Sequence, residues 1–242
     1  MENPLLEIRG VSKQFGGFAA LTTVSLQVAR GERFGLIGPN GSGKTTLINC
    51  VSGALRNEAG SIEFDGEDVT RLPAYQRTRR GIARSFQVPR PFHSMTVAEN
   101  LTVPLEYIAH KGSLHVADTH AEALDLLRQM KLADKADTPS RNLSQVELRK
   151  LELARAMAAR PRLLISDEAM AGLSGSEVEE VLEILLALNA KGITIIMIEH
   201  IMQAVMRFSQ RVVCLDAGRI ICEGAPAEIV KNAEVQRAYL GA

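Results

Sequence analysis

Apolar residues along this chain switch between a period of two and a period of three to four, and the switches lay out its elements. Near the start, Leu5 to Arg9 and Val24 to Val28 alternate in strand fashion, with Gly16-Gly17 between them. Arg33 to Ile37 is a third short apolar run, and a glycine-rich turn follows it at once. Beyond the turn, Lys44 to Ser52 reads as the first turns of a helix, and Ser61 to Asp65 and Ile82 to Phe86 as further strands. From Val97 to Leu132 the spacing lengthens, and Ala121, Leu124, Leu127 and Met130 fall on one helix face. Pro139 and Asn142 break that pattern, and another helix is expected from about Gln145 to Ala159.

After Pro161 strands and helices alternate. Leu163 to Asp167 predicts a strand, Ser176 to Asn189 a helix, Ile193 to Ile198 a strand and Ile201 to Phe208 a short helix. A closing hairpin is expected from Arg211 to Leu215 and Arg219 to Cys222, around Asp216-Ala217-Gly218. Strands alternating with helices predict an α/β core with a mostly parallel sheet, interrupted by a helical insertion over residues 88–160.

Composition narrows the class. The 242 residues are 46% hydrophobic, 23% charged and 4% aromatic, which excludes disorder and collagen-like repetition. Lys and Arg number 28 against 28 Asp and Glu, and zero formal charge argues against a dedicated nucleic-acid binder. No apolar run approaches the ~18 residues of a membrane span. The start, Met-Glu-Asn-Pro, has no basic stretch leading into an apolar one, so secretion is not expected. Cys50, Cys214 and Cys222 are an odd number without short paired spacing, which favours a reducing interior over disulfides or structural zinc.

The most specific chemical signal is Gly38-Pro39-Asn40-Gly41-Ser42-Gly43-Lys44-Thr45, which matches the phosphate-binding pattern G-x-x-x-x-G-K-[ST] between a strand and a helix. Its glycines allow backbone N–H groups to turn inward on phosphates, and the helix that follows adds its positive dipole end. In this pattern Lys44 reaches the β- and γ-phosphates and the Thr45 hydroxyl holds Mg²⁺; Thr46 completes the expected nucleotide-binding set. A second element is Leu163-Leu164-Ile165-Ser166-Asp167-Glu168, an apolar strand that delivers two carboxylates to the sheet's carboxyl edge. There Asp167 is expected to hold Mg²⁺ through water, and Glu168 to orient or deprotonate the attacking water. The chain is expected to bind a nucleoside triphosphate with Mg²⁺ and to hydrolyse it.

With these motifs in order, the chain resembles an ABC-type ATPase domain from end to end. That resemblance implies a P-loop NTPase fold with an N-terminal antiparallel β subdomain and a helical subdomain. Residues 1–87 and 161–242 would form one catalytic core, and 88–160 the insertion. It also implies roles residue by residue. Phe15 resembles the aromatic that stacks on adenine, Gln87 the glutamine that touches Mg²⁺ and links to the transmembrane partner, and His200 the switch histidine at the γ-phosphate. Ala171-Gly172-Leu173-Ser174 resembles the loop that crosses the dimer interface, with Ser174 in place of the usual aspartate or asparagine.

The signature segment departs from the family pattern Leu-Ser-Gly-Gly-Gln. Here Leu143 precedes Ser144, Gln145, Val146 and Glu147, so a β-branched side chain and a carboxylate stand where a partner subunit's ATP would be gripped. Two readings remain open. One is a weakened trans signature; the other is a capping box, in which Ser144 and Glu147 satisfy each other's backbone donors. Because the half-site of Lys44, Glu168 and His200 looks intact while the signature does not, a heterodimer with a second ATP-binding subunit is expected over a homodimer.

Within the ABC family, Gly81-Ile82-Ala83-Arg84-Ser85-Phe86-Gln87, Met95 to Leu101, Leu151 to Arg155, Ile198-Glu199-His200 and Arg237-Ala238-Tyr239-Leu240-Gly241 resemble the ATP-binding subunits of branched-chain amino acid importers. That resemblance implies import of branched-chain amino acids or related small polar solutes, transmembrane permease partners and a peripheral location on the cytoplasmic face of the inner membrane. Two rivals are a soluble ABC-type ATPase of translation or DNA repair, and an ATP-binding regulatory subunit with weak hydrolysis. Arg71, Arg77, Arg79, Arg80, Arg84 and Arg90 crowd one span, which reads as a solvated face ahead of a nucleic-acid patch or a lipid-docking face. His110, His115 and His120 recur at a spacing that takes them off a common helix face, so no metal site is expected there.

Overall fold

The computed structural model describes residues 3–109 and 116–240. Two sheets carry the architecture. The first is antiparallel and built from β1 (Leu6–Phe15), β2 (Phe18–Val28), β4 (Ala59–Phe64) and β5 (Glu67–Asp68), in the order β2-β1-β4-β5. The second holds β3 (Arg33–Ile37), β6 (Ile82–Ser85), β7 (Leu163–Asp167), β8 (Thr194–Ile198), β9 (Arg211–Asp216) and β10 (Arg219–Gly224). Its order is β10-β9-β3-β8-β7-β6, parallel throughout except for the β9–β10 hairpin.

Strands β7 and β8 are buried at every position, which is why they read as unbroken apolar runs. Alternate residues still serve different layers. Leu163, Ile165, Ile196 and Ile198 pack toward the antiparallel sheet and helix α1 (Lys44–Ser52). Leu164, Ile195 and Met197 pack toward α5 (Gln145–Met157) and α6 (Gly175–Ala190). The remaining helices are α2 (Ala74–Arg79), α3 (Glu99–Pro104), α4 (Val116–Gln129), α7 (Met202–Phe208), α8 (Pro226–Ile229) and α9 (Ala233–Leu240). Helices α3, α4 and α5 lie between β6 and β7 in sequence, where the insertion is expected.

Several elements differ from the sequence reading. The helix expected over Val97 to Leu132 is broken: α3 ends at Pro104, and Leu105–Ala109 forms a wider π-type turn. A proline inside a helix lacks the N–H of the ladder and crowds the preceding turn. The strand expected at Leu5 to Arg9 runs on to Phe15 through register shifts after Ile8, where Gly10 takes a φ of 60°. Asp65, expected in a strand, instead closes the β4–β5 turn at a φ of 54°.

The arginine-rich span is no single face. Arg77 is almost wholly buried and donates to the carbonyls of Cys50, Val51, Thr70 and Leu72, tying the end of α1 to the loop before α2. Arg84 is turned inward as well, while Arg80 pairs with Glu67 and Arg79 lies over the Tyr75 ring. His120 is exposed on α4; His110 and His115 lie outside the described residues.

Candidate functional site

The predicted phosphate cradle sits where β3 passes into α1. Gly38 has a φ of 149°, and a Cβ there would stand 2.1 Å from the Leu215 carbonyl oxygen of β9. Gly43, at the N-cap of α1, has a φ of 106°, and its Cβ would meet the Ala20 carbonyl at 2.6 Å. Any side chain at either position would force the loop off its neighbours. The Gly218 amide braces the loop by donating to Ser42 O at 2.9 Å.

Lys44 is buried, and its Nζ donates to Gly38 O at 2.7 Å and Pro39 O at 2.9 Å. Burial holds its ammonium below the ordinary lysine range. Neutral carbonyls are weak partners for a buried cation, so the loop presents a cation ready to exchange them for phosphate oxygens. Around it a cavity of about 250 Å³ is lined by Phe15, Phe18, Asn40, Thr45, Thr46, Glu168 and His200, among others. Phe18 has no counterpart among the expected site residues. It projects beside Phe15 from the tip of the β1–β2 hairpin, and the two exposed rings form the cavity's apolar wall.

Glu168 begins the loop after β7, and the structure joins it to two residues distant in sequence. Its Oε1 lies 2.9 Å from His200 Nε2, and its Oε2 accepts from Gln87 Nε2. Asp167 is buried and accepts from Arg84 Nη2 at 2.5 Å; Arg84 Nη1 also reaches Asn49 of α1. The donors near the loop's mouth suit Mg²⁺: the Thr45 hydroxyl, the Gln87 amide oxygen and the Asp167 carboxylate are all hard oxygen ligands. Among the described residues no three His, Cys, Asp or Glu cluster around a metal-sized space, so an ion here needs the oxygens of a bound polyphosphate as well.

Around this geometry the comparisons converge. The ABC transporter family model matches residues 21–171, and a second model, of branched-chain amino acid ATP-binding cassette transporters, matches 219–242. The chain belongs to the ABC transporter ATP-binding family. It is 38% identical to the LivG high-affinity branched-chain amino acid transport ATP-binding protein of Escherichia coli, covering 100% of this chain and 99% of that one. Identity to the BraF protein of Pseudomonas aeruginosa is 34%, with the same coverage. A nucleotide-free ATP-binding cassette superposes with a TM-score of 0.89 at 30% identity, covering 99% of this chain and 100% of that one. A cassette in its ADP conformation gives 0.88 at 29%, covering 100% of both. Proteins of this ABC family are ATPases coupled to transport.

In this ABC cassette the departures from the signature pattern have local causes. Ser144 is the N-cap of α5: its Oγ accepts from the Glu147 amide at 3.4 Å, and Glu147 Oε2 accepts from the Ser144 amide at 2.8 Å. Val146 is buried in the core that α5 shares with α4 and α6. Lys135 sits 3.6 Å from Glu147 and offsets its charge. Ser144 and Gln145 are exposed, whereas Val146 points inward as a packing residue. Ser174 has a parallel explanation, since it forms a capping box with Glu177 at the start of α6.

Two residues that sequence reasoning passed over connect these parts. Arg149 of α5 is buried and donates to Gln87 O and, at 3.2 Å, to Ala171 O, so one guanidinium links the signature helix, the Gln87 segment and the 171–174 loop. Its sequence signal was a charge on the apolar side of α5. Glu199 is 1% exposed and accepts from the Met170 amide at 2.9 Å, immediately before His200.

Burial pushes the Glu199 carboxyl up to about 7, with the Glu168 charge adding to the rise and Arg149 opposing it. A folded-state value above the unfolded one means the native protein holds the extra proton. Stability from this group is therefore present at acidic pH and lost as pH rises toward 7. Wild type is expected to lose on the order of 1–2 kcal/mol between about pH 5.5 and pH 7 from this source, and Glu199→Gln to flatten that slope in urea melts. Parallel slopes in the two proteins would refute the assignment.

Proposed function

We propose that this chain binds Mg·ATP at residues 38–46 and hydrolyses it to drive a branched-chain amino acid importer. The observation that carries the chemistry is the Glu168 carboxylate, held by Gln87 and His200 at the mouth of the phosphate loop. The Lys44 ammonium turns from loop carbonyls to the β- and γ-phosphates. Phe15, with Phe18, takes the adenine. Thr45, Gln87 and Asp167 are the residues that would hold Mg²⁺, which would supply charge neutralisation at the γ-phosphate. Glu168 orients a water in line with the γ-phosphorus and takes its proton; the bond to the β–γ bridging oxygen breaks, and ADP and phosphate leave. His200 steadies the carboxylate and the leaving γ-phosphoryl oxygens.

The chain is read as one domain, with 88–160 as its helical subdomain. Exposed Phe86 lines a groove with Ala54, Ala74, Pro104 and Arg155, the Phe92 ring lies against Arg155, and exposed Val88 lies between the two phenylalanines in sequence, a surface that suits an amphipathic segment of a permease. Among the described residues no helix is long and apolar enough to cross a membrane. Attachment on the cytoplasmic face runs through the permease partners at this groove. With Ser144 engaged in a cap and Val146 buried, the signature offers a partner's ATP less than the family pattern does. This supports pairing with a second, different ATP-binding subunit.

The test is reconstitution of this chain with its permeases and second ATP-binding subunit. ATP-dependent uptake of labelled leucine into vesicles is expected, falling to background when Phe86 and Val88 are both made Asp. ATP turnover without any solute uptake, leucine or other, would refute the transport reading.

A further inference from the structure

We infer that Tyr239 is a positioning residue for nucleotide binding: its hydroxyl accepts the Gly38 amide at 2.8 Å and so fixes the first residue of the phosphate loop from the C-terminal helix. This inference rests on residues 38–46 being the nucleotide site.

Gly38 lies where a sheet ladder stops. Strand β3 pairs with β9 as far as Ile37 opposite Cys214, and there the backbone leaves the sheet, pressed against Leu215. Past that point the Gly38 N–H needs an acceptor from elsewhere, because an unpaired amide in such a place costs free energy. The acceptor comes from 201 positions further along the sequence.

Helix α9 is held independently of any nucleotide. Val235 is buried in a cluster with Ile37, Val212, Cys214 and Ile229, so the helix rests on the same strand that feeds the loop. Asn232 caps its start, with Oδ1 accepting from the Glu234 amide at 2.8 Å and the Val235 amide at 3.3 Å. Asn232 Nδ2 also approaches Cys222 Sγ of β10 at 3.1 Å. Tyr239 therefore reaches the loop from a fixed base.

The two side chains on Gly38 play different parts. Lys44 holds its carbonyl and Tyr239 its amide. When Lys44 turns to a phosphate, the carbonyl contact is given up and the tyrosine contact stays. The choice of a phenol is also chemically sensible. A carboxylate would accept the same N–H but would set a negative charge beside a polyanion, whereas a phenol is neutral at physiological pH. Loss of the hydroxyl leaves the loop free to sample arrangements that do not match the triphosphate, and apparent affinity falls by the fraction of time it spends there. Residues 219–242, the stretch that matches the second family model, thereby have a task at the phosphate site.

The decisive variant is Tyr239→Phe, which keeps the ring and removes only the oxygen. Titration calorimetry of the purified protein is expected to show the Kd for MgATP rising about three- to tenfold, the equivalent of one neutral hydrogen bond. In the assembled transporter KM should rise by the same factor at unchanged kcat, and the Gly38 amide should exchange faster with deuterium. A Kd equal to that of wild type, with or without a lower melting temperature, overturns the inference. Failure of wild type itself to bind MgATP would instead overturn the nucleotide site on which it rests.

Discussion

Replacing Glu168 by Gln lowers ATP turnover in the assembled transporter about a thousandfold while MgATP affinity stays within about threefold. The expectation follows from what the carboxylate touches. It receives Gln87 on one oxygen and faces His200 on the other, so its geometry is fixed by two partners that reach it from separate strands. Glutamine fills the same space but cannot take a proton, and a positioned base contributes on the order of 10²- to 10⁴-fold. Its amide must also present either an oxygen or an NH₂ to Gln87, and the NH₂ orientation sets two donors against each other. Turnover measured by phosphate release, alongside MgATP binding by calorimetry, checks both halves. An unaltered rate in the complex would make this chain a regulatory nucleotide binder.

Lys44→Ala is the second large effect. The MgATP dissociation constant is expected to rise at least about a hundredfold, since the variant loses the ammonium aimed into the cradle. At ~4 Å and an effective dielectric near 20, a unit pair is worth about 4 kcal/mol, and part of that is offset by desolvating the lysine. The net of about 3 kcal/mol corresponds to the stated factor. Stability should change far less, because in the free protein the Lys44 ammonium holds neutral groups, Gly38 O, Pro39 O and Ser42 Oγ. Binding that survives the substitution would show that triphosphate is held elsewhere.

Much of this site could be read from local pattern. The strand Leu163–Asp167 emerges with the expected bounds because an interior parallel strand leaves a continuous apolar run. The 38–45 loop was legible because glycines at φ values only glycine tolerates cannot be swapped without rebuilding the turn. The capping box at Ser144 was visible for the same kind of reason: a three-residue spacing returns one side chain to its own helix start. The resemblance to a known family then supplied Phe15, Gln87 and His200, none of which has a local pattern of its own.

What remained hidden depends on pairings between distant segments. Nothing in the neighbourhood of Arg77 says that its guanidinium ends among the carbonyls of α1; a charged residue on a short helix reads as a solvated one. Glu199 looks like a polar residue at a strand's end, and only the packing of the Met170 segment over it makes it a buried acid. The break at Pro104 was present in the sequence as a proline, but the apolar period on either side outweighed it.

Arg84 has a wider meaning than its ion pair. Its guanidinium lies 5.2 Å from the Phe86 ring centre, while its Nη2 holds Asp167. The rim of the groove at Phe86 and the Asp167 carboxylate at the end of β7 thus meet two sides of one planar group. A load on the Phe86 ring would therefore reach the Asp167 carboxylate through a single guanidinium, with no other side chain between them.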